Sequence, residues 1–185
     1  NAAACAAVVD CLQASLPVSD LALAAGIRAA YLRGRFERHD VDGVEWVFDV
    51  GHNPAAIARL LASVLGLPPA ARTFVIFAAM RDKDLGGVVQ PFVTLASAWF
   101  VAQGSADRGA TGAELRGLLT RLGAAAVEVA PSIVAACASA RLTARPGDRV
   151  LVFGSFITVG TAMEALRLYC APSPLVDRPA TWTRV

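Results

Sequence analysis

Five short apolar runs separated by helical patterns constrain this chain more than any other feature. From Val44 onward the runs are "VEWVFDV", "TFVIFAA", "SAWFVAQ", "AAVEVA" and "RVLVFGS". Stretches of this length, rich in β-branched and aromatic residues, read as strands. Strands that alternate with helices predict βαβ units and a mainly parallel, Rossmann-like α/β sheet. The runs are apolar almost throughout, which predicts helices on both faces of that sheet. With 56% hydrophobic and only 17% charged residues, the chain can fill such a core.

Helix boundaries are written locally in three places. Asn53 can cap a helix whose first residue is Pro54, where a missing N–H costs nothing. Ile57, Leu60, Leu61, Val64 and Leu65 then fall at helical spacing, with Gly66 beyond the end. Thr111 and Glu114 form a capping box ahead of Leu115, Leu118, Leu119 and Leu122. In "FGSFITVGTAMEALRLYC" a strand leaves through Gly154-Ser155 into a helix.

The part before Val44 has a different texture. Residues 1–14 and 19–31 read as two helices broken by "LPVSD", with Ser19 as the second N-cap. The charged, glycine-containing "LRGRFERHDVDG" reads as a linker or domain boundary. The expected division is residues 1–33, two helices and a linker, then a domain over 34–185. The start on Asn1 rather than Met leads us to expect a fragment. The tail "APSPLVDRPATWTRV" reads as an extended terminus.

Several classes are disfavoured. A net charge of +2 is too small to argue for nucleic acid or an anionic membrane surface. No apolar run reaches the roughly 18 residues of a membrane-spanning helix. Cys5, Cys11, Cys137 and Cys170 are scattered, with no CxxC pair, and read as small buried thiols in a reducing cytosol. His39 and His52, with no cysteine beside them, fall short of the three protein ligands of a catalytic zinc site, so no metal ligand is assigned. There is no GxGxxG after a strand, and no GxxxxGK[ST] phosphate loop.

In an open parallel sheet, ligands gather beyond the carboxyl ends of the strands. Three polar clusters fall there: Asp49 to Asn53, Arg81-Asp82-Lys83-Asp84, and Gly154-Ser155. The first and last also sit at helix N-termini, where free N–H groups favour anions. Lys83 is the one lysine of the chain. Each cluster alone also suits a well-made turn, a solvated loop or a helix cap.

The ordered series "NAAACAA", "LRGRFE", "FDVGHNP", "MRDKD" and "VLVFGSF" resembles the C-terminal part of the folylpolyglutamate synthase and dihydrofolate synthase family, within the Mur-ligase-like ATP-dependent amide ligases. The resemblance implies a folate-pathway enzyme of one-carbon metabolism, acting as a monomer. ATP activates a pteroate or folate carboxylate as an acyl phosphate, and the amine of L-glutamate displaces the phosphate. It places the phosphate loop and most magnesium ligands in an ATPase domain upstream in the same chain, so these residues alone are expected to ligate nothing. Residues 1–33 would then be the last helices of that domain. By resemblance, Asn1, Arg35 and Asp49 hold ATP, and His52 acts near the phosphates or glutamate. Ser155 and Lys83 face the substrate. Arg33 stands where the family has proline, and Gly51 where it has alanine. Alternatives are a Mur-type cell-wall ligase and a non-catalytic α/β binding module.

Overall fold

A computed structural model describes residues 2–104 and 108–168. Asn1, residues 105–107, Cys170 and the proline-containing tail lie outside the described residues. The chain divides into two compact units, Asn1–Arg33 and Gly34–Val185.

The first unit holds α1 (Ala2–Leu12) and α2 (Asp20–Ala29). Ser19 caps α2, accepting the Ala22 N–H at 3.2 Å. The Gln13 side chain clasps the backbone of Val18 through both its oxygen and its nitrogen. Neither helix buries a residue; Leu21 is 80% exposed and Val8 58%, and Cys5 and Cys11 on α1 are exposed, not buried as expected, whereas Cys137 in the second unit is buried. Both helices end before the expected residues 14 and 31.

The second unit is a six-stranded sheet. Its strands are β1 (Glu37–Val41), β2 (Val44–Asp49), β3 (Thr73–Phe77), β4 (Ala98–Val101), β5 (Val127–Val129) and β6 (Arg149–Phe153), in the order β1-β2-β6-β3-β4-β5. All neighbours pair in parallel except β1 with β2. The strands expected from the apolar runs are all present, and β6, apolar from Val150 to Phe153, lies centrally between β2 and β3.

The segment read as a linker or domain boundary contains the division between the two units, at Arg33–Gly34, but beyond it is not a linker. It contains β1, an antiparallel edge strand joined to β2 by Asp42-Gly43, with φ of 57° and 78°. Positive φ at both central positions is the two-residue hairpin geometry that Asp-Gly favours. The apolar signal is weak because two of the three positions this strand turns inward are Glu37 and His39, with only Val41 apolar.

Side chains alternate across the sheet into two apolar layers. Trp46, Phe48, Phe74, Ile76, Val150 and Val152 pack with α6 (Ile133–Thr143) and α7 (Phe156–Ala165). Val47, Val75, Phe77, Trp99, Leu151 and Phe153 pack with α3 (Pro54–Leu65), the short α4 (Leu85–Val89) and α5 (Gly112–Arg121). Asn53 caps α3 with Pro54 at its first turn, and the Thr111–Glu114 capping box opens α5. On α3, Ile57, Leu60 and Val64 are buried but Leu65 is 66% exposed. Eight residues at about 100° each carry Leu65 roughly 80° past Ile57 and off the apolar stripe. Among the described residues no helix is long and apolar enough to cross a membrane.

The amino edge of the sheet is closed by ion pairs. Asp148, 2% exposed, accepts from Arg72 at 2.6 Å and from the Arg145 N–H at 2.7 Å. Glu45 lies between Arg149 and Arg38. Burial opposes ionisation of both carboxyls. The Arg72 hydrogen bond, the Arg145 N–H and the Arg72 charge together outweigh it at Asp148, and the hydrogen bonds and charges of Arg149 and Arg38 together at Glu45, so both sit below their ordinary range. A carboxyl depressed in the folded state contributes stability above its unfolded pKa and loses it as pH falls through the folded value. The urea midpoint of the chain should therefore drop as pH falls below about 4. Asp148→Asn should lower the midpoint at neutral pH and flatten that acid limb. An Asp148→Asn profile parallel to the parent's would refute this account.

At the carboxyl edge, Gly154 has φ 119° and lies against β3, where an added Cβ would collide with the Ala78 carbonyl oxygen and the Phe77 ring. Gly154→Ala should destabilise the chain by at least about 1–3 kcal/mol, the cost of a strained backbone alone. Urea denaturation followed by tryptophan fluorescence checks it, and an unchanged midpoint would contradict the stated contact.

Candidate active site

Parallel register brings the strand ends level. Asp49 pairs with Phe153, and Phe153 with Phe77, which pairs in turn with Val101. The three polar clusters therefore leave the sheet along one edge, on adjacent strands.

The Asp49 carboxylate is engaged by backbone on both oxygens. Oδ1 accepts the Gly51 N–H at 2.7 Å and Oδ2 the Phe36 N–H at 2.9 Å. Gly154 N–H donates to the Gly51 carbonyl at 3.1 Å, joining the turns after β2 and β6. Between them His52 Nδ1 meets the Val50 carbonyl at 3.0 Å. A carbonyl only accepts, so Nδ1 carries the proton in that bond. In the neutral ring Nε2 is then left as the acceptor, suited to take a proton or a hydrogen bond.

Ser155 caps α7, its Oγ accepting the Thr158 N–H at 3.0 Å. The same Oγ lies 2.7 Å from Thr158 Oγ1, which donates to the Ala78 carbonyl at 2.7 Å. Thr158 has one hydroxyl proton and spends it on Ala78. The Ser155 proton therefore points to Thr158, and what Ser155 has left to offer is an acceptor lone pair.

Beyond β3, Lys83 N–H closes a turn onto Met80 O at 3.3 Å, and Asp84 caps α4. Lys83 Nζ lies 3.6 Å from Asp82, a surface pair worth little. Arg81 reaches Glu114 of the capping box at 3.3 Å. The Thr111 hydrogen bonds, backbone first and then hydroxyl, hold the Glu114 carboxyl below its ordinary range, with a smaller contribution from Arg81.

His52, Lys83 and Ser155 line one open pocket of ≈ 200 Å³ together with Met80, Gly154, Phe156 and Ile157. That is below the roughly 300–1,000 Å³ of sites that enclose a small molecule, so the pocket fits part of a ligand. Arg35 is exposed, and its guanidinium carbon stands 5.6 Å from the centre of the Phe156 ring. Asp49 is half-buried and is not among the residues lining this pocket. Asn1 lies outside the described residues.

Sequence reasoning missed the apolar lining, Met80, Phe156 and Ile157, and the buried Thr158. A phenylalanine and an isoleucine directly after an N-cap serine, 61% and 49% exposed, were the available signal. Among the described residues no group of three or more His, Cys, Asp or Glu is placed to hold a metal ion.

The glutamate ligase domain of the Mur ligases matches residues 34–156. A dihydrofolate synthase/folylpolyglutamate synthase of Escherichia coli is 35% identical over 162 residues, covering 87% of this chain and 37% of that protein. The structure of E. coli FolC in complex with DHPP and ADP superposes with a TM-score of 0.73 at 33% identity, covering 83% of this chain and 36% of the other. A bifunctional folylpolyglutamate synthase/dihydrofolate synthase with Mn, AMPPNP and L-glutamate bound gives 0.73 at 29% identity over the same shares. The chain thus spans little more than a third of the length of these relatives. The βαβ sheet, the level carboxyl edge and the match over residues 34–156 place this chain in the Mur ligase family, as its glutamate ligase domain.

Proposed function

We propose that this chain is the C-terminal part of an ATP-dependent ligase that adds L-glutamate to dihydropteroate, folate or both, and that residues 1–33 are the last helices of its ATPase domain. The observation that carries the proposal is the single pocket bringing His52, Lys83 and Ser155 together at the carboxyl edge. Similar structures hold ADP, AMPPNP, manganese and L-glutamate, which supports a nucleotide and an amino acid as its ligands. The protein is a cytoplasmic monomer in this reading.

Each residue has a physically distinct part. Arg35 presents a planar cation to phosphate or to the face of adenine. Asp49 has lone pairs beyond the two N–H groups it accepts, available to ribose hydroxyls. His52 offers Nε2 as an acceptor near the phosphates. Lys83 supplies positive charge toward the glutamate carboxylates. With its own proton committed, Ser155 accepts from the glutamate amine. The donor set around the pocket, which includes no carboxylate, does not fit magnesium, so the metal falls to ligands outside these residues.

Arg35→Ala in the full-length enzyme should raise the Michaelis constant for ATP about tenfold, the cost of a lost charge-assisted contact. Thermal stability should change little, because Arg35 is exposed. Asp49→Ala should instead lower stability as well, since it releases the Gly51 and Phe36 amides. Steady-state kinetics with ATP varied, beside thermal melts, separate the two. Unchanged ATP dependence in both variants would remove them from the site.

Ser155→Ala should raise the Michaelis constant for glutamate about two- to tenfold while that for ATP holds, on the scale of one hydrogen bond. Some stability is lost with the cap. Ser155→Asp keeps an acceptor at the cap and should keep more glutamate affinity than Ser155→Ala. A lower melting temperature with both constants unchanged would leave Ser155 as a cap alone.

A further inference from the structure

The Arg35 side chain is exposed, yet the backbone beneath it is held on either side. Gly34 N–H donates to Glu37 Oε2 at 2.8 Å, and the Gly34 carbonyl accepts the Val50 N–H at 2.8 Å. Phe36 N–H donates to Asp49 at 2.9 Å. Gly34 and Phe36 both have positive φ, 65° and 49°, so Arg35 sits between two left-handed residues. That conformation is unfavourable for phenylalanine and persists only where its surroundings enforce it. Gly34 also packs where a Cβ would press on Val50 and on Val159, one turn along α7 from Phe156. The turn and the ring under Arg35 are thereby docked on the same helix.

Glu37 is the unexpected member of this arrangement. Its carboxylate is buried, with the residue 3% exposed, in an edge strand facing the core. One oxygen takes the Gly34 amide. The other lies 2.9 Å from His39 Nε2, and the His39 ring rests edge-on against Phe48. A buried carboxylate is costly unless its oxygens are hydrogen-bonded. Here its bonds hold the entry of the Arg35 turn.

We propose that Glu37 is a positioning residue that fixes the backbone on the amino side of Arg35 and so aims the guanidinium over Phe156 and into the nucleotide site. The proposal rests on the reading of Arg35 as a nucleotide contact for its functional consequence, but not for its geometry.

The geometry is tested first, in the 185-residue chain. In the parent, NMR should show a coupling across the hydrogen bond from Gly34 N–H to the Glu37 carboxyl, and ring-current shifts on the Arg35 side chain from Phe156. Its absence would overturn the proposal without any variant. Glu37→Leu fills the space without an acceptor and should abolish the Arg35 ring-current shift while β3 and β6 amides stay protected. Glu37→Gln keeps an acceptor for Gly34 and should restore the shift. A folded Glu37→Leu chain with the Arg35 shift intact would equally overturn it.

The functional arm uses the full-length ligase. Glu37→Leu should raise the Michaelis constant for ATP about fivefold with turnover nearly unchanged, part of the roughly tenfold cost of losing Arg35 itself. Glu37→Leu added to Arg35→Ala should cost little more, since both act through one contact. Additive losses would show that Glu37 acts elsewhere and defeat the proposal. If neither Arg35→Ala nor Glu37→Leu changes ATP dependence while the ring-current shift is lost, the nucleotide reading of Arg35 fails and the positioning geometry stands.

Discussion

The Ala78 carbonyl oxygen is the fixed point of the carboxyl edge. It takes the Thr158 hydroxyl proton at 2.7 Å, and Gly154 passes so close that no Cβ fits. These two contacts lock the turn after β6 against the end of β3. The rest follows in sequence. Thr158, its proton used, accepts from Ser155; Ser155 accepts the Thr158 amide and caps α7; the helix start then presents Phe156 and Ile157 beside Met80. A small-molecule pocket needs walls that do not move relative to one another. Here one carbonyl oxygen, shared between two strands and a helix, supplies that rigidity.

The two edges of the sheet use charge differently. At the amino edge, carboxylates and guanidinium groups neutralise each other at 2.5 to 2.9 Å, as in Arg38–Glu45, Arg72–Asp148 and Arg141–Asp42. At the carboxyl edge, Asp49 and Glu37 instead accept backbone N–H groups, in bonds from Gly51, Phe36 and Gly34. A carboxylate held by backbone amides keeps part of its acceptor capacity. It stiffens a turn without cancelling the cations nearby. The same residue type thus serves closure at one end and preorganisation at the other.

What the sequence made legible follows from where local and global preferences agree. β2, β3, β4 and β6 are apolar on both faces because both faces are covered, so their runs stand out. Asn53-Pro54 and Thr111–Glu114 are caps whose chemistry is complete within four residues, and both form as expected. β1 is masked because Glu37 and His39 hold two of its three inward positions, Glu37 accepting the Gly34 amide and meeting His39, partnerships that no apolar pattern announces. The candidate site divides in the same way. His52, Lys83 and Ser155 are polar residues at strand ends and were visible as such. Met80, Phe156 and Thr158 enter only through the pairing of β3 with β6, a contact between residues some eighty positions apart.

The turn from Gly34 to Glu37 shows how one constraint can replace another. The resembled family begins this turn with a proline, whose ring fixes φ before any tertiary contact forms. Arg33 gives no such restriction. In this chain hydrogen bonds hold the turn: Glu37 on the Gly34 amide, Val50 on the Gly34 carbonyl, Asp49 on the Phe36 amide. Proline would reduce the freedom of the unfolded chain, whereas the bonds from Val50 and to Asp49 act only once the turn has met the end of β2. The left-handed backbone at Phe36 is then enforced by the finished fold. Arg35 acquires its aim last, as a consequence of the sheet rather than a property of its own turn.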